Sequence, residues 1–369
     1  MGDSITTLLF VVEQVQPSRQ YFGLFQKFIN NNIKITVFNF QPGPAFKAQV
    51  EPVIDHYYAL MEEQSYWNSI VQLKRLTKKI KPDIVHCQEF ISSFYFGFVP
   101  KNKGMRSIYH RRHNYTSGFV SLIMDQWAVM RADRTVAVCK EMEIVAKAEH
   151  PFFAKKIISK TNAITLGIIY EETLEREKGI INQLPMGFSL MLLSRLRKGK
   201  GHEIALRVVK ELKNRGNTIQ LLFVGEGAEE AFIRSQVKKL DLINDVYFLG
   251  NFENIEIAIE KADALLVPSE IEAFPKTPLE GMAYGSPVIA HSVGGIVESI
   301  THGVNGFLVK KNDVDAFVRH IEQLMKDSDL KRSIINEGKK TVKEKYVVEI
   351  MAKEFMDLYQ ELKYGSRKS

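Results

Sequence analysis

Cysteine is scarce in this 369-residue chain. Cys87 and Cys139 stand alone, without CxxC or zinc-ligand spacing. Two thiols make no disulfide framework, which points to a reducing compartment and excludes a small cross-linked scaffold. No apolar run reaches the ~18 residues that a spanning helix needs. The opening MGDSITTLLFVV carries an acid and lacks a basic flank, so it does not read as a signal peptide. There is no low-complexity tract, no short repeat and no nucleic-acid recognition motif. What is there is ordinary globular composition, 45% apolar and 25% charged, which excludes wholesale disorder. The length suits two domains and the expected location is cytoplasmic.

Charge is unevenly spread. Residues 1–170 hold 21 Lys/Arg against 13 Asp/Glu, whereas residues 171–369 hold 29 against 30. The whole basic excess sits in the first half and points to an anionic partner there. Lys74, Arg75, Lys78, Lys79 and Lys81 crowd one predicted helix and its end; Arg111, Arg112, Lys155 and Lys156 add to them. Such a cluster suits anionic headgroups, which would place the protein peripherally on the inner face of a membrane. A solvated helix face is the other reading. Nucleic acid is not an expected partner, because the cluster lacks interleaved aromatics.

Apolar runs fall at 7–12, 34–38, 83–86, 107–110 and 135–138, then at 188–193, 219–224, 246–249, 264–267, 287–290 and 306–309. Amphipathic stretches lie between them, near 19–30, 65–80, 117–131 and 140–148, and again from 202 to 338. Strands alternating with helices read as βαβ units on parallel sheets. The expected fold is α/β, with two Rossmann-like domains facing across a cleft. They span 1–172 and 173–346 and divide where the polar run 171–178 interrupts the pattern. A last amphipathic helix is predicted over 347–363.

In such sheets ligands sit at the carboxyl ends of strands, where helix N-termini present free N–H groups. After 188–193 come Ser194-Arg195-Leu196-Arg197-Lys198-Gly199-Lys200-Gly201. Arg195 and Lys200 can converge on a diphosphate, Arg as a fork and Lys as a point charge. A solvated basic loop explains them equally well. After 219–224 comes the turn Gly225-Glu226-Gly227, short of the full dinucleotide fingerprint. The densest stretch follows 264–267. Thr277, Pro278 and Glu280 there read as a helix start with a capping box, which explains Glu280 without any ligand. Glu272 precedes that helix on a loop stiffened by Pro268 and Pro275 and has no capping role. Backbone N–H groups of Ala273, Phe274, Lys276 and Thr277 would line an anion pocket. Gly294-Gly295 makes a further turn after 287–290. Asp313-Val314-Asp315 reads as an N-cap rather than a metal site.

In this order, these residues resemble the retaining glycosyltransferases of family 4, which have the GT-B fold. The resemblance rests on Arg195/Lys200, Gly225–Gly227, Glu272…Glu280 with the run 281–290, Gly294-Gly295 and Asn305-Gly306-Phe307-Leu308-Val309, and covers about 190–310. It implies transfer of a hexosyl group from a UDP- or GDP-sugar donor to a glycan or lipid-linked acceptor hydroxyl, without a metal or other cofactor, in cell-surface polysaccharide or glycolipid synthesis. Arg195 and Lys200 would hold the donor diphosphate, with Gly225, Glu226 and Gly294 in the turns around it. Glu280 would bind the ribose, Glu272 the sugar and the 273–277 backbone, with Phe274, Lys276 and Thr277, the sugar hydroxyls and phosphate. Gly250 would lie near the base. The segment 347–369 would pack back on the first domain.

The first half resembles the family's acceptor domain more loosely, through Pro82-Asp83-Ile84-Val85-His86 and 132–138. His113 would be the active-site histidine, with His110 as runner-up and a histidine without catalytic role as the third possibility. Two departures stand out: 13–19 lacks the family's Gly-Gly turn, and 166–169 reads Leu-Gly-Ile-Ile where the family has Asn-Gly-Val-Asp. A nucleotide-sugar epimerase of the same fold, or a catalytically silent nucleotide-sugar-binding protein, are the competing readings.

Overall fold

A computed structural model of the chain describes residues 6–13, 18–41, 43–60, 65–112 and 118–365. Among these residues, thirteen parallel strands form two sheets. In the first, β1 (Thr6–Val12), β2 (Ile33–Asn39), β3 (His56–Ala59), β4 (Ile84–Gln88), β5 (Arg106–Arg111), β6 (Arg134–Ala137) and β7 (Ile157–Ser159) take the order β3-β2-β1-β4-β5-β6-β7. In the second, β8 (Phe188–Leu193), β9 (Ile219–Val224), β10 (Val246–Gly250), β11 (Ala264–Val267), β12 (Val288–His291) and β13 (Phe307–Val309) take the order β10-β9-β8-β11-β12-β13. The central strands are largely apolar runs, such as LLFVV in β1 and LLFV in β9, because helices cover both faces of each sheet.

The chain divides into two compact units, Met1–Thr165 with Val348–Ser369, and Leu166–Val347. The first core joins Phe10, Phe25 and Phe28 to Phe355, Leu358 and Tyr359 of the final helix, Val348–Tyr364. The Tyr359 hydroxyl lies 2.6 Å from His86 Nδ1. The second core gathers Leu190, Val208, Leu221, Phe223, Leu266 and Phe317. Among the described residues no helix is long and apolar enough to cross a membrane.

The polar run taken as an interruption at 171–178 belongs to a helix, Glu171–Asn182. Its Glu177 is fully buried and accepts the N–H groups of Glu253 at 2.7 Å and Asn254 at 3.1 Å. The division between units falls earlier, at Leu166, rather than at 173.

Strand order reverses between β1 and β4 in the first sheet and between β8 and β11 in the second. At such a switch point the two flanking connections leave in opposite directions and open a crevice beyond the carboxyl ends. The loops after β8 and β11 meet at one crevice; Glu13 and Glu89, directly after β1 and β4, mark the other.

Candidate active site

The second switch point holds a pocket lined by Leu193, Ser194, Lys200, Ser269, Glu272 and Thr277. It encloses about 280 Å³, part of it open to solvent. Lys200, from the β8 loop, is ion-paired with Glu272, from the β11 loop, 72 residues away. Their side chains are only 16% and 13% exposed, so the pair is largely shielded from water. A shielded cation beside a carboxylate can hold an anionic group on one side and a hydroxyl on the other.

Backbone braces hold these loops in place. Ser194 N–H donates to Val224 at 3.0 Å, Leu196 N–H to Glu226 at 3.0 Å and Gly225 N–H to Gly250 at 2.8 Å. Glu270 N–H donates to Gly199 at 2.9 Å and Gly295 N–H to Ala273 at 2.7 Å. The glycines permit the approach. A Cβ on Gly225 would lie 2.1 Å from the Ser194 carbonyl, and one on Gly294 would lie 1.7 Å from the Glu272 carbonyl. Both also have positive φ. Their observed work is loop against loop.

Two histidines to which the sequence assigns no role, His202 and His291, complete the frame. His202 Nε2 lies 3.3 Å from Ser194 Oγ, and burial, with Lys200 nearby, pushes its pKa down to about 4. His291 Nδ1 lies 3.1 Å from the Ser269 carbonyl, while its Nε2 accepts the Asn312 N–H at 3.3 Å. Those partners make His291 a neutral ring protonated on Nδ1, tying the β11 loop to the turn after β13. Burial likewise lowers its pKa. The only signal in the sequence was a polar residue ending an apolar run.

The remaining predicted residues are placed as follows. Arg195 is exposed, does not line this pocket and makes no ion pair with the described residues. Glu226 is exposed and accepts from Asn251 Nδ2 at 2.9 Å. Gly250 ends β10 with φ +71°. Phe274 is buried with its ring 5.7 Å from that of Tyr346, so only its backbone faces outward chemistry. Lys276 is the N-cap residue of the helix Thr277–Ala283, and Glu280 lies within that helix, half-buried. The expected capping box does not form. Thr277 is the first helical residue, and its hydroxyl reaches the Leu193 carbonyl at 3.4 Å. Asp313 does cap its helix, accepting the Ala316 N–H at 2.9 Å.

In the first unit, His113 lies outside the described residues. His110 is 1% exposed, with Nδ1 3.0 Å from Gln88 Nε2 and 3.2 Å from His86 Nε2. Burial, reinforced by His86 and Arg112, drives its pKa well down and keeps it neutral. Two carboxylates, Glu13 and Glu89, directly follow β1 and β4. Burial, then Glu89, raises the Glu13 pKa to about 7. Glu89 holds φ +71° and ψ 175°, a region open almost only to glycine. Arg112 Nη1 donates to the Tyr21 hydroxyl at 2.5 Å. None of Glu13, Glu89 or Arg112 was singled out for this site in the sequence.

Arg111 is not part of a surface cluster. It is fully buried, with Nη2 2.6 Å from Glu149 and 3.4 Å from Asp125. Asp125 also accepts from Tyr109 at 2.7 Å and pairs with His150 at 2.8 Å. Asp125, Glu149 and His150 are close enough together to hold a cation, and the Arg111 guanidinium supplies that positive charge.

The pattern described as Glycosyltransferase Family 4 matches residues 19–158, and that described as Glycosyl transferases group 1 matches 175–341. The chain is a family 4-type glycosyltransferase. It is 26% identical over 300 residues to an uncharacterised glycosyltransferase of Methanocaldococcus jannaschii, covering 76% of this chain and 75% of that one. Over 143 residues it is 34% identical to N-acetyl-alpha-D-glucosaminyl L-malate synthase of Bacillus anthracis, 39% of this chain and 38% of the relative. Among solved structures, a Rickettsia africae glycosyltransferase superposes with TM-score 0.83 at 20% identity, covering 98% and 99% of the two chains. Anabaena HepE in complex with UDP-glucose superposes with TM-score 0.80 at 19% identity, covering 96% and 99%. The glycosyltransferase fold is therefore GT-B, with two Rossmann-like domains.

Proposed function

We propose that this glycosyltransferase moves a sugar from a nucleotide-diphosphate donor to an acceptor hydroxyl with retention at the anomeric carbon. The anomeric carbon–oxygen bond to the diphosphate breaks, the acceptor oxygen bonds to the same face, and its hydroxyl proton passes to the departing phosphate oxygen as the nucleoside diphosphate leaves. The observation that carries this is the shielded Lys200–Glu272 pair at the switch point of the second sheet. Lys200 takes the charge that develops on the leaving diphosphate, and Arg195, exposed on the same loop outside the pocket, turns in to join it when the donor is bound. Glu272 faces the donor sugar and Glu280 the ribose. The cations do the work of a divalent ion, so no metal is needed. HepE was solved with UDP-glucose, which supports a nucleotide-sugar donor. A relative from Staphylococcus aureus is named for capsular polysaccharide biosynthesis, which supports a glycan or lipid-linked acceptor. With a lipid-linked acceptor, the basic first unit works peripherally on an anionic membrane face.

Turnover of UDP- and GDP-sugars, with product analysis, tests this reading. Lys200→Ala should lower turnover by roughly 100- to 1,000-fold with the fold intact. Near-normal turnover would remove Lys200 from the site. Isomerised donor as the sole product would make the protein an epimerase. Loss of activity with EDTA, restored by Mn²⁺, would refute the metal-free step.

A further inference from the structure

Three helices of the first unit lie side by side and present an unusual outer surface: Tyr66–Ile80, Phe90–Phe96 and Phe119–Arg131. Ring contacts join them. Trp67 packs 5.6 Å from Phe98, which follows the second helix, and Phe98 packs 4.9 Å from Trp127 on the third. The outer side of this layer is apolar where solvent-facing helices are normally charged. On the third helix Phe119 is 78% exposed, Val120 69% and Ile123 54%, and Met130 continues the same stripe. Spacings of four and seven residues put Phe119, Ile123 and Met130 on one side. On the first helix Trp67 and Val71 are half exposed. Along that same stripe, toward the helix end, they give way to exposed Lys74, Arg75 and Lys78.

Charge of one sign borders the patch. The three helices carry five cations and a single carboxylate, Asp125, which is fully buried against Arg111 and His150. Beyond the third helix, Lys156 Nζ donates to the Met130 and Ala132 carbonyls at 2.9 and 2.7 Å. The turn that carries it also presents Phe152, 93% exposed, and exposed Lys155. A protein partner of ordinary composition needs no such one-signed border. A sheet of anionic headgroups over hydrocarbon does, with aromatic and aliphatic side chains entering the interface and lysines meeting the phosphates.

We infer that this three-helix face docks on an anionic lipid bilayer, with Phe119, Val120 and Ile123 inserted and Lys74, Arg75 and Lys78 on the headgroups. It rests on the reading of the first unit as the acceptor domain, and it replaces adsorption by charge alone with a shallow apolar insertion.

The chain contains two tryptophans, Trp67 and Trp127, and both belong to this face, so intrinsic fluorescence reports on it selectively. The experiment uses the full chain with vesicles of phosphatidylcholine alone, or mixed with phosphatidylglycerol. Cosedimentation and a blue shift of tryptophan emission are expected with the mixed vesicles and not with the neutral ones. The variant Phe119→Ser/Ile123→Ser should bind at least ~100-fold more weakly. The variant Lys74→Glu/Arg75→Glu/Lys78→Glu should lose a similar factor, roughly 100-fold, with the loss shrinking as salt rises. All substituted positions are exposed, and circular dichroism melts should match the parent. Absence of binding, equal binding to neutral vesicles, or binding indifferent to the apolar pair overturns the inference. So does a lipid-free dimer that the apolar pair dissociates, which would make the face an interface between copies. A thermal shift with UDP or GDP on the same samples reads the second unit. Nucleotide binding without vesicle binding sinks the docking face and leaves the transferase reading standing.

Discussion

A methyl group at Gly294 would collide with the backbone that carries Glu272, because the Glu272 carbonyl lies 1.7 Å from where the Cβ would stand. That oxygen is not the tip of a flexible chain, so the β11 loop must move. Gly294→Ala should cost about 2–4 kcal/mol in thermal denaturation and also lower turnover, since Glu272 and its partner Lys200 shift together. Gly104 provides the control. It has φ +86° and nothing within 4 Å, so alanine there pays only conformational strain, about 1 kcal/mol. Arg111 poses the same kind of question with charge. Removing it leaves Asp125 and Glu149 facing each other with the cation gone. Arg111→Leu should destabilise by about 3–5 kcal/mol in chemical denaturation, whereas exposed Lys78→Ala should change stability by less than about 0.5 kcal/mol. Residue spacing could not separate these two cations. Whether a basic residue is solvated or buried depends on which helix covers the strand end that carries it.

At the scale of elements, the two sheets share one topology but differ at the switch point. In the second sheet a cation–carboxylate pair fills the crevice; in the first, Glu13 and Glu89 follow β1 and β4 where the sequence lacks its glycine turn. Burial and Glu89 raise the Glu13 pKa to about 7, so the folded state favours its protonated form. A raised carboxyl contributes stability that is complete below its unfolded pKa and lost as pH climbs through the folded value. Stability should therefore fall between about pH 4.5 and 7 by on the order of 1 kcal/mol, allowing for solvent screening of this half-buried group. Glu13→Gln should flatten that limb, which denaturation at stepped pH measures directly. The central elements were legible because their signal is local: 188–193, 219–224 and 264–267 are strands with the predicted bounds, apolar throughout but for Ser189 and Gln220. Edge strands β3 and β7 were not, since three or four residues leave no period to read. The helix Phe90–Phe96 was missed because its sequence, FISSFYF, is aromatic on nearly every side. Lys200 and Glu272 were each legible as strand-end residues, but their pairing across 72 positions follows only from β8 and β11 being neighbours. Thr277 was misread as a cap because its hydroxyl has a tertiary partner, the Leu193 carbonyl.

For the whole molecule, the chain's end decides the integrity of its beginning. The helix Val348–Tyr364 buries Val348, Met351, Phe355, Leu358, Tyr359 and Leu362 in the core of the first unit. Six such side chains contribute on the order of 10 kcal/mol of burial, comparable to the entire stability of a domain. Tyr359 also bonds His86 Nδ1 at 2.6 Å and Lys363 pairs with Asp83 at 3.0 Å, so the loss is polar as well as apolar. The second unit, Leu166–Val347, keeps its own core without this helix. A chain ending at Val347 should therefore unfold in its first unit while its second stays folded. Amide hydrogen exchange should show protection confined to 166–347, deepened by UDP around the loops that carry Lys200 and Glu272. Protection persisting in β1, β4 and β5 would show that the first core closes without the last helix. Loss of protection throughout would show that the two units fold as one.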